Sequence, residues 1–191
     1  MKKSLDQSLI SEKDGLILAY RPDWWDIGRN FGPRSYMTIL AIKAIRDFLN
    51  ILEMLNENSQ SINKYSELAN KMQKQLNEKL WSSERKYLIN YYEDSSEDPH
   101  YYMGSLLAVW FNLLDEKKAE ELVTTAEKYL LDEKLGIYTV YPMDFHQLKD
   151  FFKFSGNEAG EPHKYINGGI WPHANAWYAL ALIKIGEKRK L

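Results

Sequence analysis

Residues 20–36 read Tyr-Arg-Pro-Asp-Trp-Trp-Asp-Ile-Gly-Arg-Asn-Phe-Gly-Pro-Arg-Ser-Tyr and lead directly into a long apolar segment. Two aspartates flank a pair of tryptophans, and the glycines and prolines predict a loop. A protein core rarely holds so many charges, and an ordinary surface linker does not need two indoles. Aromatic faces beside carboxylates and guanidinium groups suit a sugar, whose C–H faces stack while its hydroxyls form charge-assisted hydrogen bonds. The stretch therefore predicts a carbohydrate site on a loop.

The composition excludes several classes of function. The 191 residues suffice for one domain with a sizeable core, and we predict a single domain over residues 1–191. A net charge of -2 with scattered lysines offers no basic surface for nucleic acid or an anionic membrane. The chain has no cysteine, which excludes disulfides, thiolate metal sites and cysteine nucleophiles. It also lacks an apolar run of about 20 residues and the apolar core of a signal peptide, so a cytoplasmic protein is the default expectation.

The segment after the loop predicts a pair of helices. Residues 36–56 are apolar on nearly all sides, which indicates a helix buried between layers. Residues 62–80 carry one narrow apolar stripe at helical spacing, which indicates an outer helix. The stripe consists of Tyr65, Leu68, Ala69, Met72, Leu76 and Leu80.

The order of turn, short strand, loop, inner helix and outer helix recurs at a period of roughly 65–70 residues, as expected for an internal repeat. The later cycles comprise turn-and-strand segments at 81–94 and 132–144, apolar helices at 101–114 and 173–185, and an outer helix capped by Asp115. Gly186 is expected to end the last helix. Each cycle has a matching aspartate before its loop: Asp23, Asp94 and Asp144.

This repeat predicts where the loops meet. When inner and outer helices alternate in direction, every loop before an inner helix falls on the same rim. The loops at 23–34, 94–100 and 144–172 should therefore open into one mouth. The third inner helix has no outer partner in this sequence, so we expect an incomplete toroid, completed by self-association or by a complementary chain.

Two blocks carry a resemblance to a known family: Asp23-Trp-Trp-Asp26 with Gly32-Pro-Arg34, and Tyr165-Ile-Asn-Gly-Gly-Ile-Trp-Pro-His173. Over nearly the whole chain the sequence resembles the catalytic domain of glycogen debranching enzymes of the amylo-alpha-1,6-glucosidase type. Related six-hairpin glycosidases and cellobiose-phosphorylase-like enzymes share these features. The resemblance implies an all-α, six-hairpin glycosidase-like (α/α)6 toroid with short strand pieces in its rim loops, of which this chain forms about half. It also implies hydrolysis of glycosidic bonds in α-glucans.

The resemblance assigns the general acid to Asp26, the aspartate of the family's Trp-x-Asp motif. Glycoside hydrolysis needs this acid and a second carboxylate opposite it. Indole rings beside Asp26 would exclude water from the acid; the alternative is that Asp26 only braces the loop against Arg29 or Arg34. Glu161 and Glu158 are the candidates for the second carboxylate. Each would bind a substrate hydroxyl or act as the catalytic base; the alternative is that both simply belong to a polar loop. In the relatives the base normally lies beyond the Trp-Pro-His block.

The remaining candidates are substrate-binding residues. Trp24, Trp25 and Trp171 are expected to stack on sugar rings, although Trp171 would equally serve as a hydrophobic plug. Arg29, Arg34, Asn167 and His173 are expected to hydrogen-bond to sugar hydroxyls, with a structural histidine as the alternative for His173. Pro172 suits the first turn of a helix whose N-terminus would face the mouth.

No cofactor or metal is expected, because the four histidines lack ligand spacing and no phosphate-binding glycine loop is present. The expected partner is an oligosaccharide or α-glucan. Two other readings stay open. One is a disaccharide phosphorylase, in which phosphate replaces the base, and the other is a non-catalytic sugar-binding or assembly module.

Overall fold

The computed structural model describes residues 2–19, 23–29, 31–56 and 59–186. Within these residues the chain forms seven helices: α1 (Lys2–Ser8), α2 (Ser35–Met54), α3 (Ser59–Lys79), α4 (Leu106–Trp110), α5 (Glu116–Leu130), α6 (Lys149–Phe152) and α7 (Pro172–Lys184). Single 3-10 turns lie at Leu9–Ser11 and Met103–Ser105. None of the described helices combines the length and the apolar character that crossing a membrane requires.

Eleven short strands occupy the turns and loops of the described chain: β1 (Glu12–Lys13), β2 (Leu16–Ala19), β3 (Gly32–Pro33), β4 (Trp81–Ser82), β5 (Tyr87–Leu88), β6 (Asn90–Tyr91), β7 (Glu97–Asp98), β8 (Tyr101–Tyr102), β9 (Leu131–Asp132), β10 (Gly136–Ile137) and β11 (Val140–Tyr141). The antiparallel hairpins β1–β2, β4–β5 and β9–β10 confirm the predicted turn and extended piece of each cycle. In the first hairpin Asp14 and Gly15 both adopt positive φ, as a tight two-residue turn requires.

The inner and outer helices of the first cycle pack against each other as predicted. In α3 the stripe residues Tyr65, Ala69, Met72 and Leu76 are buried, with the following Leu80. Helix α2 buries Ile39, Ile42, Ile45, Phe48 and Leu52. Its other face is only half covered, and the exposed Met54 and Leu55 lie at its end.

The predicted helix at 101–114 is much shorter in the structure. Tyr101 and Tyr102 form strand β8 and pair with Val140 and Tyr141 of β11, so their backbone groups are committed to a sheet. A 3-10 turn follows, and α4 extends only from Leu106 to Trp110. Helix geometry starts late because a pairing between distant segments overrides the local apolar pattern.

The ends of the later helices agree with the sequence. The Asp115 carboxylate accepts a 2.9 Å hydrogen bond from the Lys118 N–H and caps α5. Pro172 is the first residue of α7, and Gly186 follows its end with a φ of 80°. Helix α1 was not predicted; Asp6 on this helix accepts a 2.6 Å hydrogen bond from the Tyr65 hydroxyl of α3.

The structure has two hydrophobic cores. The larger lies among α2, α3, α4, α5 and part of α7. The smaller lies beneath the rim loops and contains Trp25, Tyr102, Val140, Phe145, Phe152, Phe154, Ala159 and Ile166. Residues of the first and third predicted loops belong to this smaller core. The His100 ring, at the end of the second loop, lies 5.1 Å from the Phe145 ring, so the rim loops have a packed base of their own.

Candidate functional site

A buried chain of charged groups joins the three rim loops. Arg34 donates from Nε to Oδ2 of Asp23 and from Nη1 to Oδ2 of Asp98, each at 2.9 Å. His100 lies 2.7 Å from Oδ1 of Asp98 through Nδ1 and 2.7 Å from Oδ1 of Asp144 through Nε2. Asp23, Asp98 and Asp144 come from different cycles of the repeat, so this network holds the expected mouth together. It confirms that the loops converge.

Burial and pairing set the charges of this network. Burial raises the pKa of Asp23, and the ion pair with Arg34 offsets part of that rise. Burial acts in the same way on Asp98, but Arg34 and His100 outweigh it and hold the pKa of Asp98 well below its usual range. For His100, burial lowers the pKa, but the hydrogen bonds with Asp144 and Asp98 outweigh this effect and raise it. When His100 is protonated, both of its ring nitrogens donate to the neighbouring carboxylates.

An aromatic cluster lies against this network. The Trp24 ring packs edge-on against Trp171 at a centroid distance of 5.7 Å and against Trp25 at 5.2 Å. Trp171 also lies 5.2 Å from the exposed His173 ring and 5.8 Å from Tyr165. Trp24 and Trp171 are both partly exposed, so they present aromatic surface at the rim.

Asp26 is exposed at the same rim. Its Oδ1 accepts a 2.7 Å hydrogen bond from the hydroxyl of Tyr165, in the loop that precedes α7. We call Trp24, Asp26, Tyr165, Trp171 and His173 the Asp26 mouth. The structure corrects the expectation that indole rings shield Asp26 from water, since its side chain is open to solvent.

The two candidate glutamates lie on the loop between α6 and α7. Glu158 is half-buried, and its carboxylate accepts a 2.6 Å hydrogen bond from the Ser155 N–H. Glu161 is exposed and accepts a 2.9 Å hydrogen bond from the Asn157 side chain. Tyr165 has a raised pKa, chiefly because its hydroxyl bonds to Asp26, and the charge of Glu158 adds a smaller contribution. Glu158 is thus within electrostatic reach of the Tyr165–Asp26 pair.

The structure places three of the predicted substrate-binding residues in the interior. Trp25 is 3% exposed and belongs to the smaller core. Arg34 is buried in its two ion pairs. Asn167 is buried; its Oδ1 accepts from the Phe145 N–H at 3.2 Å, and its Nδ2 donates to the Gly160 carbonyl at 3.0 Å. In this conformation these side chains hold the loops together and cannot contact a sugar directly, which corrects the role expected for them.

Arg29, the other arginine predicted to bind substrate, forms no hydrogen bond or ion pair with a residue of the Asp26 mouth. Arg29 is exposed, and only its backbone N–H, which donates to the Phe152 carbonyl at 2.5 Å, has a partner in the described chain. The alternative in which Asp26 braces Arg29 or Arg34 is not what the structure shows, because Arg34 pairs with Asp23 and Asp98 instead.

Sequence reasoning assigned no role to several residues of this site. Tyr165 stands at the start of the Asn-Gly-Gly-Ile-Trp-Pro-His block, but nothing in its local pattern indicates a partner 139 positions away. The repeat matches Asp94 with Asp23 and Asp144, but in the structure it is Asp98 that joins these two aspartates in the network. Asp94 is exposed and instead accepts from the N–H of Ser96 at 2.9 Å. The described residues contain no group of three or more histidine or acidic side chains arranged to hold a metal ion.

Comparison with known proteins is decisive for the family. All of residues 1–191 match the family model described as the glycosyl hydrolase 94 superfamily, catalytic domain. The chain belongs to this superfamily. No curated protein sequence matches this glycosyl hydrolase 94 chain significantly.

Solved structures resemble this glycosyl hydrolase 94 chain in fold. The GH63 mannosylglycerate hydrolase from Thermus thermophilus in complex with glucose matches with a TM-score of 0.65 and 16% identity, over 84% of this chain and 36% of that chain. The neutral trehalase from Saccharomyces cerevisiae matches with a TM-score of 0.59 and 13% identity, over 78% and 27%. A sialidase matches with a TM-score of 0.59 and 18% identity, over 83% and 14%. The helical architecture with short strands is thus consistent with a six-hairpin glycosidase-like fold, and the chain spans about a third or less of the length of these proteins.

Proposed function

We propose that this chain belongs to an enzyme that hydrolyses glycosidic bonds of α-glucans, in the manner of the debranching enzymes, with Asp26 as the general acid. The observation that supports this most is the Asp26 mouth, where the exposed Asp26 carboxylate bonds to Tyr165 and the Tyr165 ring lies 5.8 Å from the partly exposed Trp171. An exposed carboxylate is free to approach a glycosidic oxygen, and aromatic rings beside it suit the apolar faces of a sugar.

In this proposal each residue of the mouth has one task. Asp26 protonates the leaving oxygen, and Tyr165 orients its carboxyl group through the 2.7 Å hydrogen bond. Trp171 and Trp24 stack on the sugar, and His173 hydrogen-bonds to a hydroxyl. Glu161 is the second carboxylate, with roughly 6.5–9.5 Å between the carboxyl groups for inversion or about 5–5.5 Å for retention. Glu158, whose charge acts on Tyr165, binds a sugar hydroxyl.

We propose further that residues 1–191 form one unit of an incomplete (α/α)6 toroid. Helix α7 buries only Ala174, Ala181 and Leu182, and its Ile183 is 43% exposed. An apolar helix with so little cover suits a surface that packs against further helices. Self-association or a complementary chain would supply them, and light scattering of the purified chain at increasing concentration tests the first of these routes.

A second candidate function is a disaccharide phosphorylase. The observation that favours it is the exposed His173 in the first turn of the 13-residue α7. Helix N-termini carry partial positive charge and free N–H groups, which suit a phosphate. Under this reading phosphate attacks the sugar in place of an activated water.

One assay separates these functions. Linear and branched α-glucans are incubated with the protein, with and without inorganic phosphate, and the products are identified. Glucose or shorter glucans released without phosphate support hydrolysis, whereas sugar 1-phosphate formed only with phosphate supports the phosphorylase. Oligosaccharide binding without any product would reject both and leave a sugar-binding module.

A further inference from the structure

Two cavities beside the first rim loop are lined by residues other than those of the Asp26 mouth. These cavities, of about 680 and 450 Å³, share Phe31, Tyr92 and Glu93 in their walls. The two cavities therefore adjoin at these side chains, and together we call them the Tyr92 groove. Each volume lies in the range of about 300–1,000 Å³ that is typical of ligand pockets.

The groove presents a fixed aromatic surface. Phe151 is 54% exposed. Its ring meets Tyr92 edge-to-face at 4.8 Å and the buried Phe152 at 5.1 Å. These two contacts hold the ring in place while part of it stays open to a ligand.

Charged groups of both signs surround this ring. Arg29 and Lys153 line the smaller cavity together with Glu93 and Asp94. The side chains of Arg29, Lys153 and Glu93 have no hydrogen bond or ion pair to any residue that the structure describes. The larger cavity continues the same mixture, with lysine, aspartate and glutamine side chains on its walls.

The positive and negative side chains around Phe151 indicate which class of ligand the groove would bind. Balanced charges give no net attraction for a phosphate or a cation, but they supply both donors and acceptors to neutral hydroxyl groups. An exposed aromatic face adds a stacking surface for apolar C–H groups. A saccharide carries both kinds of surface.

We propose that the Tyr92 groove is a second saccharide-binding site, which holds a stretch of glucan chain by stacking on Phe151 and hydrogen bonding to Arg29, Lys153 and Glu93. The identity of the sugar rests on the proposed function; the existence of the site rests on the groove alone.

Calorimetric titration with maltoheptaose tests this site. Phe151→Ala is expected to weaken groove binding about 2- to 10-fold, the range of one aromatic contact. The matched control is Leu135→Ala, since Leu135 is 66% exposed and lies away from the groove. The control should bind as the wild type does. The double variant K153A/E93A removes only exposed side chains and gives a second, independent reduction if Phe151→Ala perturbs the fold.

A parallel Trp171→Ala variant separates the groove from the mouth. Weaker binding in Phe151→Ala but not in Trp171→Ala supports the groove and counts against sugar binding at the Asp26 mouth. Weaker binding in Trp171→Ala alone overturns the groove and leaves the proposed function standing. Absence of maltoheptaose binding by the wild type overturns the groove as well.

Discussion

The hydroxyl of Tyr165 donates a 2.7 Å hydrogen bond to Oδ1 of Asp26, across 139 positions of sequence. Tyr165 adopts a φ of 45°, in the left-handed region that few non-glycine residues occupy. The loop before α7 thus accepts an uncommon backbone conformation while it brings this hydroxyl to the first rim loop. The contact links the two blocks of sequence that carry the family resemblance.

Tyr165→Phe removes this donor and keeps the ring. A hydrogen bond to a charged group contributes about 1.5–3 kcal/mol when buried, and the exposure of Asp26 reduces this. We expect kcat to fall about 3- to 10-fold while KM and the unfolding midpoint stay nearly constant. Tyr141→Phe is the matched control, because Tyr141 and Tyr165 are both 42% exposed. An equal loss of kcat in both variants would mean that the hydroxyl of Tyr165 has no special role.

The Tyr165 hydroxyl also reports on the charge of Asp26. The pKa of Tyr165 is raised chiefly by the hydrogen bond to Asp26. In the variant Asp26→Asn the pKa of Tyr165 should therefore move back towards its ordinary value of 10.0. Spectrophotometric titration of tyrosine ionisation in Asp26→Asn and in the wild type measures this shift. In the control, Asp26→Asn should cause no shift when Tyr165 is already replaced by phenylalanine.

Arg34 holds two buried carboxylates at once, so its removal should be costly. Arg34→Ala leaves Asp23 and Asp98 without this partner, and breaking a buried pair typically costs about 3–5 kcal/mol. Arg34→Lys should recover only part of this loss, because an ammonium group lacks the rigid fork that reaches both carboxylates. Denaturant unfolding measures both variants.

Arg85 provides the comparison for Arg34. It pairs with Glu97 at 2.8 Å in a half-exposed position, and pairs of this kind contribute about 1 kcal/mol or less. If Arg34→Ala lowers the unfolding free energy no more than Arg85→Ala does, the buried network does not hold the rim together.

His100 should make stability depend on pH. Its folded-state pKa lies above the ordinary value of 6.5, so the folded chain binds this proton more tightly than the unfolded chain does. The stabilising contribution is complete below pH 6.5 and is lost as the pH rises through the raised pKa. Unfolding midpoints measured from pH 6 upwards should fall, and His100→Gln should flatten this fall. A wild-type midpoint that rises over the same range would contradict the protonated state.

Asn167 should act on the loop before α7 through structure. Its amide bonds to the backbone at Phe145 and Gly160, so Asn167→Ala leaves buried backbone groups without their partners. We expect a loss of about 1–3 kcal/mol in unfolding free energy. The exposed Asn157 is the control, and Asn157→Ala should change the unfolding free energy by less than about 0.5 kcal/mol. Equal stability of the two variants would return Asn167 to a role in substrate contact.

Much of the helical frame is readable from the sequence because its signals are local. The stripe of α3, the cap at Asp115 and the stop at Gly186 each depend on residues a few positions apart. The helix expected at 101–114 fails for the opposite reason, since strand β8 is fixed by its pairing with residues 140–141. No local pattern reports that pairing.

The site likewise has features that the sequence predicts and features that it does not. The sequence indicates that the three loops converge, and the network of Asp23, Asp98 and Asp144 confirms it. It does not tell which of two adjacent tryptophans faces outward, and the structure buries Trp25 while Trp24 stays partly exposed. It also does not distinguish Asp94 from Asp98, because the choice depends on the positions of Arg34 and His100.

Turnover of an α-glucan by Asp26→Asn, compared with wild type, tests the central proposal most directly. The substitution keeps the size of the side chain and the acceptor for Tyr165 but removes the proton that the leaving oxygen needs. We expect oligosaccharide binding within about 3-fold of wild type and a loss of turnover of at least about 100-fold. Turnover retained in Asp26→Asn, or absent from the wild type, would contradict the assignment of Asp26 as the general acid.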